Sequence, residues 1–361
     1  MPGTVIFLGA GATKACGGPL TNEILPNILK GKNPPVPPTV AGSAERVDLL
    51  EDFLTQQFHV KADSPKEHYP ALPLLMSLID VALDRRQPFH AQWDLLRVSE
   101  LREAIEVGIF DHLEARLIHA PTNNHWKLVQ NIYPAPNEPV IISTNYDLII
   151  DTALMFVSDA RFPEGKFPDY RCPIRTEFYR TEQGHFGTLL KLHGSLNWLY
   201  CRACHRLEIG ASESKRYLKA LLRLVGPSLQ TSYTPGGNPC PTCGTKLRPL
   251  LIAPTHLKDY RNPHIAQVWY EAERVLRDAT RVIFIGYSLP DDDLQVVYLL
   301  KRSMAHLQPD QITVVDYDET GSPALQNPVG RRYRSLFGDT IDWHPEGLDA
   351  WLPQSTAAPI L

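Results

Sequence analysis

The chain has 361 residues, 43% of them hydrophobic, enough for one large domain or two modest ones. Its formal net charge of −4 excludes an overall basic field for nucleic acid, although net charge is silent about a local basic groove. No apolar run reaches the ~20 residues of a membrane span, and the N-terminus has no basic, cleavable leader pattern, so the expected setting is cytoplasmic, without a membrane.

In chain order, short and almost continuously apolar runs occur at Thr4–Leu8, Pro139–Ser143, Thr188–Leu192, Arg281–Ile285 and Gln311–Val315. Such runs predict strands buried on both faces of a parallel sheet. Helical patterns follow the second and fourth, over Asp147–Val157 and Asp291–Met304. The alternation predicts an α/β fold with a doubly wound, Rossmann-like parallel sheet.

Two segments break the rhythm. The first opens with the stiff "NPPVPP" and continues through "ERVDLLEDFL" and "LREAIEVGIFDHLEARL", which predicts a helical insertion over one end of the sheet. The second carries paired cysteines and a basic helix around "SKRYLKALLRL". The expected division is a sheet domain over 1–32, 133–199 and 250–345, a helical insertion over 33–132, a zinc-binding module over 200–249 and a C-terminal tail over 346–361. There is no internal repeat and no low-complexity tract.

The first strand runs into a turn with Gly9, Ala10, Gly11 and Ala12. Glycines there allow close backbone approach, and amides at a helix start can face a diphosphate. Alone the signal is weak: the dehydrogenase fingerprint wants a third glycine where Lys14 stands, and a sharp strand–helix bend explains the same residues. Three other stretches bear on it. "ISTNYDLIID" puts Thr144, Asn145 and Asp147 just past a strand, "LLKLHGSLNW" does so for His193, and "VIFIGYSLPDDD" for Gly286 and Ser288. Ligands bind beyond the carboxyl ends of such strands. Each stretch has a plainer reading: Asn145 or Asp147 as a helix cap, Asp291 to Asp293 as capping residues, His193 as a buried histidine bonded to backbone. Their coincidence at matching strand ends favours one cleft.

Cys201 and Cys204 form one C-x-x-C, and Cys240 and Cys243 another. Two such knuckles match tetrahedral ligation of a closed structural Zn²⁺ by four thiolates. Cys16 and Cys172 are expected to be ordinary buried or partly buried thiols, and six cysteines in this setting do not predict a disulfide framework. Lys215, Arg216, Lys219 and Arg223 lie between the knuckles, where a solvated face is the simpler reading than a nucleic-acid or partner contact.

Together these stretches resemble the sirtuin superfamily. "GAGAT" is similar to its glycine motif, "STNYD" to its asparagine–aspartate motif, "LHGS" to its histidine–glycine motif and "GYSLP" to its glycine–serine loop. "VVDYD" sits where the family ends a strand with a ribose-binding polar residue, and all occur in family order. The resemblance implies an NAD site that cleaves the nicotinamide–ribose bond. It implies that Gly9, Ala10 and Gly11, with Ala12 and Thr144 beside them, cradle the dinucleotide, with Gly286 and Ser288 at the phosphates and Asp316 at the adenosine ribose. Asn145 would position the ribose or the attacking water, Asp147 would contact the nicotinamide end or orient Asn145, and His193 would be the general base. The family also carries a four-cysteine zinc module at this point.

The chain departs from deacylating sirtuins where "ACGGPLTNEIL" replaces their Gly-Ile-Pro-Asp-Phe-Arg stretch, and where Thr-Asn-Tyr-Asp replaces Thr-Gln-Asn-Ile-Asp. Its wording is more similar to divergent sirtuin-like proteins of bacterial antiphage systems. That implies NAD hydrolysis in a regulated homo-oligomer, with a separately encoded partner such as a HerA-type ATPase or an Argonaute-like protein. The alternatives are an NAD-dependent protein deacylase and a non-catalytic NAD- or ADP-ribose-binding subunit of a nucleic-acid-processing complex.

Overall fold

The computed structural model describes residues 3–14, 16–30, 43–117, 124–133, 138–162, 166–176, 179, 184–209 and 239–352. The strands are, in chain order, β1 (Thr4–Leu8), β2 (Val140–Ser143), β3 (Thr188–Lys191), β4 (Gly194–Tyr200), β5 (Leu207–Ile209), β6 (Arg248–Leu251), β7 (Arg281–Ile285), β8 (Ile312–Val315) and β9 (Asp342–His344). Six of them form one all-parallel sheet in the order β3-β2-β1-β7-β8-β9. Val5 to Leu8, Ile141, Ile142 and Val282 to Ile285 are at most 1% exposed, the burial that near-continuous apolar strands require. The chain runs outward from β1 through β2 to β3 and later returns to β1's other side with β7. The switch point therefore lies between β1 and β7, where a doubly wound sheet opens a crevice at its carboxyl edge.

The helices are α1 (Ala10–Lys14), α2 (Thr21–Lys30), α3 (Ser43–Phe58), α4 (Leu72–Arg85), α5 (Leu95–Leu117), α6 (Asn124–Ile132), α7 (Ile149–Arg161), α8 (Pro263–Arg277), α9 (Leu294–Ser303), α10 (Pro328–Phe337) and α11 (Gly347–Trp351). α8 starts where Pro263 follows Asn262, whose side chain accepts from the His264 and Ile265 amides. Two cores result. One joins the sheet to α6, α7, α8 and α9; the other joins α2 to α3, α4 and α5 around Phe53 and Trp93, whose rings meet edge-on at 4.8 Å. The helical core thus takes in α2, and Leu128, Val129 and Ile132 give α6 to the sheet.

The remaining strands form a separate antiparallel sheet, β5-β4-β6, which carries the cysteine knuckles. Several element ends differ from the sequence expectation by a residue or two. Pro139, Leu192 and Gln311 fall just outside their strands. The helix expected from Asp147 begins at Ile149, because the Asp147 carboxylate accepts from the Ile149 amide. The helix expected from Asp291 opens as a 3-10 turn over Asp291–Asp293 before α9. "NPPVPP" and the basic helix with Lys215, Arg216, Lys219 and Arg223 lie outside the described residues. Among the described residues no helix is long and apolar enough to cross a membrane.

Candidate functional site

The glycine turn packs backbone on backbone across the switch point. A Cβ on Gly9 would lie 2.5 Å from Tyr287 Cα, and one on Gly11 2.8 Å from Gly286 Cα. Gly286 itself has φ +60° and would drive a Cβ to 2.0 Å from the Ala12 nitrogen. All three positions are closed to side chains on steric grounds. The Gly9 and Gly11 amides donate to the Ile285 and Gly286 carbonyls (3.0 and 2.8 Å), and the Ala12 amide donates to the Gly9 carbonyl (3.0 Å). These glycines therefore first of all let the tips of β1 and β7 touch.

The end of β2 is tied into the same turn. Thr144 donates its amide to the Leu8 carbonyl, and the Asn145 side-chain amide donates to the Gly9 carbonyl and to Thr13 Oγ1, both at 2.9 Å. Thr13 in turn donates to Asp147 Oδ2 at 2.8 Å. The other Asp147 oxygen accepts from the Ile149 amide at 2.9 Å across Leu148, the N-cap residue of α7. Asp147 thus shapes the entry to that helix without being its cap, while Thr13 links it to Asn145. Thr13 is the residue the sequence reading passed over. Its position within "GAGATK", one α1 turn from Gly9, was the signal available.

His193, past β3, is 4% exposed. Its Nε2 lies 3.3 Å from the Tyr260 hydroxyl and 3.6 Å from Asp293 Oδ1, and the Thr144 backbone acts on the ring from the end of β2. Burial pushes the imidazole below its ordinary value, against the opposing pull of Asp293 and Asp292. Asp293 accepts from Tyr287 Oη at 3.0 Å and from Lys258 Nζ, and Lys258 also reaches Asp292 Oδ2 at 2.8 Å. Burial alone would raise the Asp293 carboxyl. The His193 and Lys258 charges, with the Lys258 and Tyr287 hydrogen bonds, outweigh it and hold the group below the usual carboxylate range.

This overturns the expectation that Asp291 to Asp293 all serve as caps. Asp293 stands at the N-cap of α9 but makes no side-chain cap bond there. The loop before it is wound back by Gly286 and by Leu289, a non-glycine residue held at φ +50°, so that its third acid turns inward. Lys258 and Tyr260 come from the segment between β6 and α8. That segment is pinned by Thr255 and the His256 amide to Ser77 of α4 (3.0 and 2.8 Å), and by Tyr260 packing edge-on against Trp269 at 4.4 Å.

Ser288 and Asp316 follow the carboxyl ends of β7 and β8. Arg332 donates to the Ser288 carbonyl at 2.8 Å and lies close enough to Asp316 to act on its charge. Burial raises the Asp316 carboxyl. No hydrogen bond among the described residues joins either of them to His193.

The four knuckle sulfurs converge. Cys201 and Cys243 Sγ are 3.4 Å apart, Cys204 and Cys240 3.5 Å, and all four lie within 4.8 Å of one another. A tetrahedral Zn²⁺ with ~2.3 Å bonds spaces its sulfurs by about 3.8 Å, so the set fits that ion. The module leans on the site through His205, whose carbonyl meets His264 Nε2 at 2.8 Å on α8, the helix that also bears Trp269. Cys16 and Cys172 have thiols that burial pushes upward, as unreactive buried thiols should.

No protein-family description matches the chain, and no curated relative matches it. Over most of its length the chain is similar to Sir2 sirtuin structures, at low identity. Sir2Tm bound to a propionylated peptide is 14% identical, covering 96% of this chain and 89% of that one, with a TM-score of 0.41. A structure addressing sirtuin substrate affinity is 13% identical, covering 96% and 90%, with a TM-score of 0.42. A Sir2 homologue complexed with 2'-O-acetyl ADP ribose is 15% identical, covering 92% and 89%, with a TM-score of 0.41. At these scores the likeness decides nothing about chemistry, and the doubly wound fold rests on the strand order itself.

Proposed function

We propose that the chain is a sirtuin-like NAD hydrolase that releases nicotinamide and leaves ADP-ribose. The observation that carries this reading is the meeting of three neighbouring strand ends beside the switch point: the glycine turn after β1, Asn145 bonded into it after β2, and His193 after β3, preceded by Leu192 whose amide donates to the Ser143 carbonyl of β2 at 2.9 Å. The resemblance of "GAGAT", "STNYD", "LHGS" and "GYSLP" to the sirtuin motifs supports it.

Nicotinamide is a cationic leaving group, so its departure needs little acid help. The protein's work is to fix the ribose, exclude bulk water and offer one nucleophile on the correct face. In this reading Gly9, Ala10, Gly11, Ala12, Thr144, Gly286 and Ser288 line the dinucleotide, Asp316 takes the adenosine ribose, Asn145 orients the ribose or the water, and His193 accepts the proton. Asp147 orients Asn145 through Thr13. Cys201, Cys204, Cys240 and Cys243 would hold a structural Zn²⁺ that fixes the β4–β6 sheet and, through His205, the start of α8. The similarity of wording to antiphage sirtuin-like proteins extends the proposal to a regulated homo-oligomeric effector in the cytoplasm, paired with a HerA-type ATPase or an Argonaute-like protein.

Incubation with NAD, alone and with a candidate partner, tests this. Wild type should release nicotinamide, and Asn145→Ala and His193→Ala should each lose about 10²–10⁴-fold in rate. No release under either condition sinks the reading. Release strictly dependent on an acyl-lysine peptide would make the chain a deacylase instead. One observation favours the non-catalytic reading: the Asn145 amide and the Gly9, Gly11 and Ala12 amides are all bonded internally. Retained biological activity in both alanine variants would establish that alternative.

A further inference from the structure

Among the buried charges of the molecule, one carboxylate meets the histidine without any part yet given to it. We propose that Asp293 is the positioning residue of His193, with Lys258 and Tyr287 fixing the carboxylate so that one oxygen faces Nε2. The proposal rests on the NAD-cleavage reading and deepens it.

The geometry is specific. Asp293 offers two oxygens, and the two are used differently: Oδ2 accepts from Tyr287 at 3.0 Å, while Oδ1 takes Lys258 and stands 3.6 Å from His193 Nε2. The carboxylate is 4% exposed, so water does little to screen it. Its neighbours Asp291 and Asp292 do not share this place. Asp291 is exposed, and Asp292 meets Lys258 from the far side through its carbonyl (2.9 Å) and Oδ2 (2.8 Å). Lys258 therefore keeps a partner whatever happens at position 293.

The proton has a defined course. Water adds through its oxygen to the ribose carbon while the carbon–nitrogen bond breaks and its electron pair passes to the nicotinamide ring. One water proton moves to His193 Nε2, which makes an imidazolium whose charge stands 3.6 Å from Asp293 Oδ1, and the carboxylate stays ionised throughout. An anion fixed in advance beside the forming cation costs no reorganisation during the step. At rest Nε2 is met by the Tyr260 hydroxyl at 3.3 Å, so that hydroxyl must turn aside for the water.

Among the described residues the charged and titratable groups facing the ring are Asp293, Asp292, Lys258, Tyr260 and Tyr146, whose own ring lies 6.3 Å from the imidazole, and the charged ones pull in opposite directions. Asp293 and Asp292 favour the protonated ring and Lys258 opposes it. The two obvious variants must therefore move the histidine in opposite senses. Asp293→Asn keeps the shape and removes the anion. It should lower the His193 titration midpoint, read by NMR of the assigned imidazole, and shift the acid limb of the NAD-cleavage profile to lower pH by about one unit. The same variant should lower kcat about 10- to 100-fold with KM for NAD changed less than about 2-fold. Lys258→Met should raise the midpoint. Asp293→Glu should recover part of kcat, and Asp291→Asn should match wild type.

An imidazole midpoint in Asp293→Asn equal to that of wild type overturns the proposal, as does a kcat equal to that of Asp291→Asn. If Asp293→Asn fails to fold, the direction of the Lys258→Met shift decides. Should wild type release no nicotinamide at all, the proposed activity falls. The NMR midpoints still decide whether Asp293 governs the ring.

Discussion

Among the described residues two buried lysine–aspartate pairs stand out, and they behave in opposite ways. Lys191 and Asp151 are both 0% exposed and 3.1 Å apart, within and beneath the edge of the sheet. Asp151 also accepts from Tyr170 at 2.5 Å, and Lys191 donates to the Asp147 carbonyl at 2.5 Å. Lys258 and Asp293 sit past the strand tips at 4% and 6% side-chain exposure, with Asp292, Tyr287 and His193 around them. In the first pair burial wins and raises the carboxyl in spite of Lys191. In the second the neighbouring charges win and lower it. One pair is a rivet beneath Asp147. The other keeps a charge available to an imidazole. The residue types are the same, and the difference lies in how many opposite charges and donors each carboxylate meets.

The largest expected effect breaks the first pair. Lys191→Met leaves Asp151 buried beside Tyr170 alone and should lose about 3–5 kcal/mol in denaturant unfolding, with Lys191→Met/Asp151→Leu recovering much of it. Lys258→Met should cost less, about 1–3 kcal/mol, because Asp293 lies past the strand tips with a side chain 6% exposed, where Asp151 is wholly buried. Equal losses in the two variants would erase the distinction between rivet and site.

The pH dependence of stability sharpens the same contrast, with opposite signs. Asp151 is raised in the fold, so the folded state binds the extra proton. Its contribution is present at low pH and falls as pH rises from the ordinary carboxylate value through the raised one. Asp293 is lowered, so its contribution is present above the ordinary value and is lost as pH drops through the folded one. Unfolding free energies across the acid range should thus flatten on opposite sides in Asp151→Asn and Asp293→Asn. The smallest effect is expected at a solvated pair. Arg261 and Asp259 meet at 2.8 Å with side chains 91% and 56% exposed, and Arg261→Ala should change stability by less than about 1 kcal/mol in the same assay.

Five strands of the parallel sheet were legible because each is a short apolar run, and their ends shifted by a residue only where Pro139, Leu192 and Gln311 flank the ladder. β9, the half-buried Asp342–His344, and the three strands of the antiparallel sheet carry no such run and were not read. Gly9, Gly11, Asn145 and His193 were legible because each closes such a run, so position along the chain already fixes which edge of the sheet they reach. The cysteine knuckles were legible for a similar reason: two residues between sulfurs set the bite of a metal ligand pair.

Asp293 was not legible. Three acids ahead of a helix read as caps, since capping is what such acids do when only their own helix is considered. Lys258 and Tyr260 carry no local pattern at all. By itself the sequence determined five strands of the parallel sheet, the glycine turn after β1 and the two C-x-x-C knuckles, since these follow from spacing within one element or one turn. Only the tertiary structure decided which acid faces His193 and which lysine restrains that acid. Those choices depend on the left-handed bend at Leu289 and on α4 holding the β6–α8 segment over the strand tips, contacts between residues far apart in the chain.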